Sequence, residues 1–198
     1  MNDSVLFNQF DKIFEYCFSL FKEKQADYGP TWLLNRYSSL LDEIWRKAKR
    51  IRTLEDAGDN SLVGEGRDVE YIGIINYCVM FLIRLEKSEK IPDENEALED
   101  LSKIQNLDPN ILFDAYKNII SDIKNLLYRK NTDYGDAWKS MSIYSMTDQV
   151  IIRVYRIKTI MSNGGCCIVS EGISSQLKDI INYCVFALIK MNAPILRK

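Results

Sequence analysis

The strongest constraint on this chain is that it repeats itself. Displaced by 106 positions, the sequence falls on itself without a gap over long stretches. Asp27-Tyr28-Gly29 lands on Asp133-Tyr134-Gly135, Trp32 on Trp138, Asp42 on Asp148, and Arg50-Ile51 on Arg156-Ile157. Glu65-Gly66 meets Glu171-Gly172, and Ile74-Ile75-Asn76-Tyr77-Cys78-Val79 recurs unchanged as Ile180-Ile181-Asn182-Tyr183-Cys184-Val185. One offset shared by so many separate matches means a tandem duplication. Whatever one copy folds into, the other must fold into as well.

Each copy reads as three helices. Phe7, Phe10, Phe14, Cys17, Phe18 and Phe21 recur at three- and four-residue spacing, the mark of an amphipathic helix. Gly29-Pro30 ends it, because glycine suits a C-terminal cap and proline cannot continue a helix interior. A second helix is expected from about Ser38 to Leu54, with Leu41, Ile44, Trp45, Ala48 and Ile51 on one face. After a polar loop the third, from about Val69 to Lys87, is apolar nearly all round and belongs at the centre of a core. The same plan places helices at about 109–130, 147–162 and 174–191. A unit of this size stands alone only marginally. The expected fold is therefore all-α: repeats over 5–88 and 109–193, packed about an approximate two-fold axis into a six-helix body. The acidic, proline-bounded stretch 89–108 reads as a linker with about one helical turn.

Composition narrows the chemistry. The chain contains no histidine, so the usual neutral-pH base and the commonest zinc ligand are missing. Any catalysis must use carboxylates, Lys, Tyr, Cys or a hard metal ion. The five cysteines are odd in number and form no C-x-x-C pair, which suits buried thiols in a reducing cytoplasm. Cys166-Cys167 stands where the first copy has Asn60-Ser61, so it lies outside the duplicated plan. A net charge of −2 gives no global basic field for nucleic acid. The N-terminal residues lack the basic and apolar regions of a signal peptide. The most apolar run, Ile72 to Ile83, is too short to span a bilayer. The expected location is cytoplasmic, with no membrane partner.

Three sets of duplicated polar residues are candidates for function. Asp27, Tyr28 and Trp32 match Asp133, Tyr134 and Trp138; they read either as walls of a ligand pocket or as a helix cap with aromatics packed beneath the turn. Lys47 and Arg50 match Arg153 and Arg156, three apart and thus on one face, a row that suits phosphate or else a solvated surface. Copy one extends this row to RKAKRIR, which leaves nucleic acid as a weaker candidate partner. Asn76 and Asn182 read either as pocket groups or as buried amides satisfied inside the bundle. Glu171 and Asp179, with Asn182 and Tyr183 on the same helical face as Asp179, suit Mg²⁺, which prefers oxygen ligands. The copies are uneven here. Gly73 stands where copy two has Asp179, and Glu70 where copy two has Gln176.

These motifs resemble a known family. Asp133-Tyr134-Gly135 with Trp138, the Arg153/Arg156 row, Glu171-Gly172 and Asp179-Ile180-Ile181-Asn182-Tyr183 are similar to the nucleotide-modification-associated domain 1 family, and copy one matches the pattern without the acid at Gly73. The resemblance implies a role in nucleotide or modified-base metabolism. The carboxylate-bearing helices resemble, more distantly, the all-α nucleoside-triphosphate pyrophosphatases of the MazG type, which hold Mg²⁺ with clustered acids. Neither copy carries their dense Glu-x-x-Glu pattern. Two functions stay open. One is an Mg²⁺-assisted nucleotide hydrolase or nucleotide-binding enzyme, with phosphates on the Arg row and the metal on Glu171 and Asp179. The other is a non-catalytic interaction or nucleotide-sensing protein, a former homodimer now fused and free to associate again.

Overall fold

The computed structural model describes residues 3–59, 64–86, 89–165, 167 and 171–197, and only the backbone of residues 3, 4 and 134. Cys166 and the Asn60-Ser61 pair fall outside the described residues. Six long helices make up the body: α1 (Asp3–Tyr28), α2 (Tyr37–Asp56), α3 (Arg67–Leu85), α6 (Pro109–Tyr134), α7 (Ile143–Ser162) and α8 (Ile173–Lys190). Between α3 and α6 lie α4 (Glu94–Glu99) and α5 (Ser102–Gln105). Among the described residues there is no strand, and no helix is long and apolar enough to cross a membrane. Helices α1 and α6, and α2 and α7, begin and end 106 residues apart, as do the 3₁₀ turns Thr31–Leu34 and Ala137–Ser140.

The long helices form where the apolar spacing puts them, except that α7 starts a turn earlier, at Ile143 rather than about residue 147, and both first helices stop for the same reason. Gly29 and Gly135 take φ of +67° and +57°, a conformation that costs other residues a clash at Cβ. The core is continuous across the copies. Helices α3 and α8 pack against each other at its centre, α2 lies against α7, and α6 reaches α3 much as α1 reaches α8. Each of these pairings maps onto itself or onto another under exchange of the copies, so the chain folds as a pseudo-two-fold six-helix body. Ile74, Ile75, Cys78, Val79, Ile180, Ile181, Cys184 and Val185 are all fully buried along the α3–α8 seam. Burial pushes the Cys78 and Cys184 thiols well up, so they serve as small apolar side chains. The two-fold also appears at the surface. Lys158 pairs with Asp42 at 2.7 Å and, in the mirrored place, Arg52 pairs with Asp148 at 3.5 Å. Both pairs are exposed and add little stability.

The interval 89–108 holds more structure than the single turn expected. Asp93 caps α4 through a capping box: its carboxylate accepts from Asn95 N and Glu96 N, each at 2.9 Å, and Glu96 accepts back from Asp93 N at 3.0 Å. Ala97 and Ile104 are buried against the body. A short helix with a capped end and one apolar anchor is stable only when docked, and docking is what periodicity over so few residues conceals.

One side of the copy–copy interface is polar. Glu55 Oε1 accepts from the Thr147 hydroxyl at 2.7 Å and from Arg67 at 3.2 Å, and the Tyr71 hydroxyl lies 2.7 Å from Thr147 Oγ1. At the mirrored positions stand Met161, Leu41, Ile173 and Leu177, all apolar. Burial pushes the Glu55 carboxyl up, against the opposing pull of Thr147 and Arg67. A carboxyl raised on folding keeps its proton in the folded chain over a window in which the unfolded chain has released it. The part of its contribution that depends on the proton is therefore full below the ordinary carboxyl pKa of about 4.3 and is lost as pH rises through the folded value, while its hydrogen bonds to Thr147 and Arg67 remain. The expected outcome is that wild type exceeds Glu55→Gln in melting temperature by more at pH 4 than at pH 7 (roughly the carboxyl titration window). A gap that stays constant between those pH values would contradict it.

Candidate functional site

Each copy encloses a cavity, and the two cavities are mirror images in sequence. That of copy two, about 470 Å³, opens between α6, α7 and α8 and is lined by Lys130, Asn131, Trp138, Arg153, Asp179, Asn182, Tyr183 and Phe186, among others. That of copy one, about 590 Å³, is lined at the matching places by Lys24, Gln25, Trp32, Lys47, Gly73, Asn76, Tyr77 and Met80. Both volumes fall within the range of small-molecule sites.

In copy two a charged cluster spans the three helices. Asp179 on α8 accepts from Lys130 Nζ on α6 at 3.0 Å and from Arg153 Nε on α7 at 3.2 Å. Arg153 also donates to Gln149 Oε1 at 2.6 Å and lies over the Tyr183 ring, 4.6 Å from its centre. Opposite, Trp138 stacks on Phe186 with ring centres 4.5 Å apart and planes 5° from parallel, making a flat apolar wall. Two buried polar atoms of this cavity's lining have no protein partner: the Trp138 indole N–H and Asn182 Oδ1. Their residues are only 8% and 5% exposed. A buried donor or acceptor left unpaired costs about 1–3 kcal/mol, so such atoms are normally satisfied.

Copy one satisfies the same atoms from within. The Trp32 indole donates to Gln25 Oε1 at 3.4 Å. Asn76 donates to Cys17 O at 3.2 Å and its Oδ1 accepts from the Tyr116 hydroxyl at 2.8 Å. The reason for the difference is in the residues. Asn131, one methylene shorter than Gln25, turns its amide toward Asp136 at 3.5 Å. Phe10, at the place corresponding to Tyr116, has no hydroxyl. The space of Asp179 is also filled differently. A Cβ on Gly73 would stand 2.8 Å from Lys47 Cε, so the Lys47 side chain lies over the glycine and reaches Glu70 at 3.1 Å. Arg50 pairs with Glu70 as well, and with Glu65 at 3.4 Å. In copy one the row thus meets carboxylates of its own chain. One buried donor of this cavity, Gln25 Nε2, has no protein partner.

The fold gathers some of the expected site residues and scatters others. Arg153, Asp179, Trp138 and Asn182 share the copy-two cavity, and Lys47, Tyr28, Trp32 and Asn76 share that of copy one. Asp27 and Asp133 are exposed and line neither, and Tyr134's side chain lies outside what is described. Arg156 is exposed beside Gln176, in the lining of a separate cavity. Glu171 is exposed and precedes α8, whereas Asp179 lies about 9 Å along that helix at 1.5 Å per residue. Of the two carboxylates read as an Mg²⁺ site, only Asp179 lines the copy-two cavity, and both of its oxygens already face cations. Among the described residues, no three His, Cys, Asp or Glu side chains come together to hold a metal.

Lys130 is a cavity residue that motif reading missed, as are Asn131 and Phe186. The signal for Lys130 was present, since Lys24 and Lys130 match at the common offset one turn before the Asp-Tyr-Gly motif.

Two segments, residues 24–85 and 130–191, match the family described as nucleotide modification associated domain 1. They cover more than half of the chain and are themselves 106 positions apart. The chain belongs to the nucleotide modification associated domain 1 family. Each matched segment of this family member runs from the lysine before the Asp-Tyr-Gly motif to the end of the buried third helix, and so takes in most of one cavity's lining. No curated protein and no solved structure matches the chain.

Proposed function

We propose that this protein binds a nucleotide in the copy-two cavity. The observation that carries the reading is the pair of unpartnered buried atoms, one donor and one acceptor, beside a flat aromatic wall. A heterocyclic base offers an acceptor and a donor side by side on one ring edge, the complements of these two atoms. The charged lining, Lys130 and Arg153 against Asp179, carries one excess positive charge, which suits a phosphate. Family membership supports the same ligand class. Binding without turnover is the better supported form, because the acids of the cavity are too few and too well paired to hold catalytic Mg²⁺.

The test is a thermal-shift screen of the full chain with nucleoside mono- and triphosphates, each with and without Mg²⁺. Saturation at a hundredfold excess over Kd adds about 2.7 kcal/mol, a shift of several degrees. Lys130→Met removes one phosphate partner while Arg153 still holds Asp179, and is expected to weaken binding by about tenfold or more. If no nucleotide moves the melting temperature, the reading fails. Phosphate release by wild type and its loss in Asp179→Asn would instead favour the hydrolase.

A further inference from the structure

We infer that the fused chain keeps one working site, in copy two, and that copy one has turned its equivalent pocket into a self-satisfied structural unit. The inference rests on the nucleotide reading and names which pocket the ligand uses and which residues decide it.

Four differences between matched positions point the same way. Gln25 caps the Trp32 indole, whereas Asn131 leaves the Trp138 indole unpaired. Tyr116, reaching across from α6, supplies a hydroxyl to Asn76, whereas Phe10 supplies none to Asn182. Lys47 lies across Gly73 and pairs with Glu70, whereas Asp179 holds Arg153 and Lys130 at the rim of an open cavity. The charged lining of copy one, Lys24 and Lys47 with Glu65 and Glu70, is balanced, whereas copy two retains an excess cation. The unpaired buried donor among the described residues lining copy one's cavity, Gln25 Nε2, belongs to the side chain that performs the capping. It comes without the matching acceptor that copy two presents.

A ligand that needs the indole N–H, the Asn Oδ1 and a net positive lining finds all three only in copy two. Phe10 and Asn131 are then the specificity-determining residues, positions where the missing hydroxyl and the missing methylene keep the site open. Phe10 acts from copy one, on the helix that lies against α8. The working site therefore requires both halves of the chain.

The experiment titrates the full chain calorimetrically with each of the four common ribonucleoside monophosphates, beside melts without ligand. The expected stoichiometry is one per chain. Asn131→Gln and Phe10→Tyr, which copy the caps of copy one into copy two, are expected to raise the ligand-free melting temperature and to weaken binding at least tenfold. Gln25→Asn and Tyr116→Phe, which open copy one, are expected to lower the ligand-free melting temperature and leave binding in copy two unchanged. Two ligands per chain would overturn the inference, as would full affinity in both closed variants. If neither a monophosphate here nor any mono- or triphosphate in the thermal-shift screen binds wild type, the nucleotide reading falls by itself. The melts then decide the asymmetry: opposite shifts in the two variant pairs uphold it, and shifts of the same sign overturn it. Asn131→Gln, at a partly exposed position, carries the test even if Phe10→Tyr packs badly.

Discussion

Glu55→Ala is expected to lower stability by about 3 kcal/mol at neutral pH, read as a drop in the urea midpoint with an unchanged slope. The carboxylate is 9% exposed and is the common acceptor for Thr147 and Arg67. Removing one member of a buried pair strands the other, and Arg67 is itself largely buried, with a side chain 12% exposed. The loss sits at the lower end for such pairs because Arg67 keeps Asp59 at 2.6 Å. Thr147→Val, which removes a hydroxyl shared between Glu55 and Tyr71, is expected to cost about 1–3 kcal/mol. The two losses are not additive, because the groups form one network. A loss below about 1 kcal/mol for Glu55→Ala would mean that the network contributes little beyond filling space. The corresponding places on the mirrored side are all apolar, so the network is the polar half of an otherwise apolar interface.

Arg84→Ala is expected to cost about 3 kcal/mol and to expose the interval between the copies to protease. Arg84, at the end of α3, is 5% exposed, and its guanidinium donates to Asn35 O and to Glu94 at the start of α4. It lies over the Tyr37 ring, 4.3 Å from its centre, and the Tyr37 hydroxyl donates back to Arg84 O at 3.1 Å. One side chain thus ties the turn after α1, the start of α2 and the linker to the central helix. Arg84→Lys retains the charge but not the planar fork that serves two acceptors at once, and is expected to recover only part of the loss. Limited proteolysis reads the second effect: cleavage within residues 89–108 rises in Arg84→Ala well before the body unfolds. Equal protease resistance in both proteins would show that α4 is held by Ala97 and Ile104 rather than by this clasp.

Much of the architecture was legible because its causes are local. Apolar spacing and a glycine in the left-handed region mark a helix and its end wherever they occur. Their recurrence at one offset placed the long helices of copy two in step with those of copy one. The short helices α4 and α5 were not legible, because four to six residues carry too little periodicity and depend on docking. The cavity was half legible. Trp138, Asn182, Arg153 and Asp179 stood out as duplicated polar or aromatic residues in an otherwise apolar plan. Their roles did not follow from that. Asp179 was paired with Glu171 as a metal site on residue chemistry, whereas the fold hands it to Lys130 and Arg153 from two other helices. Arg156, an equal partner of Arg153 in the sequence, lines a different cavity, beside Gln176, where copy one has Glu70 to gather both cations of its row.

By itself the sequence determined that one helical unit is present twice and that the two must share a core, since spacing, caps and repetition are properties of neighbouring residues. Only the tertiary structure decided which buried polar atoms find a partner. Tyr116 serves Asn76 and Thr147 serves Glu55 across 40 and 92 residues of chain, each from the opposite copy. Two pockets with nearly the same residues can therefore differ, because each is completed by side chains that its own repeat does not contain.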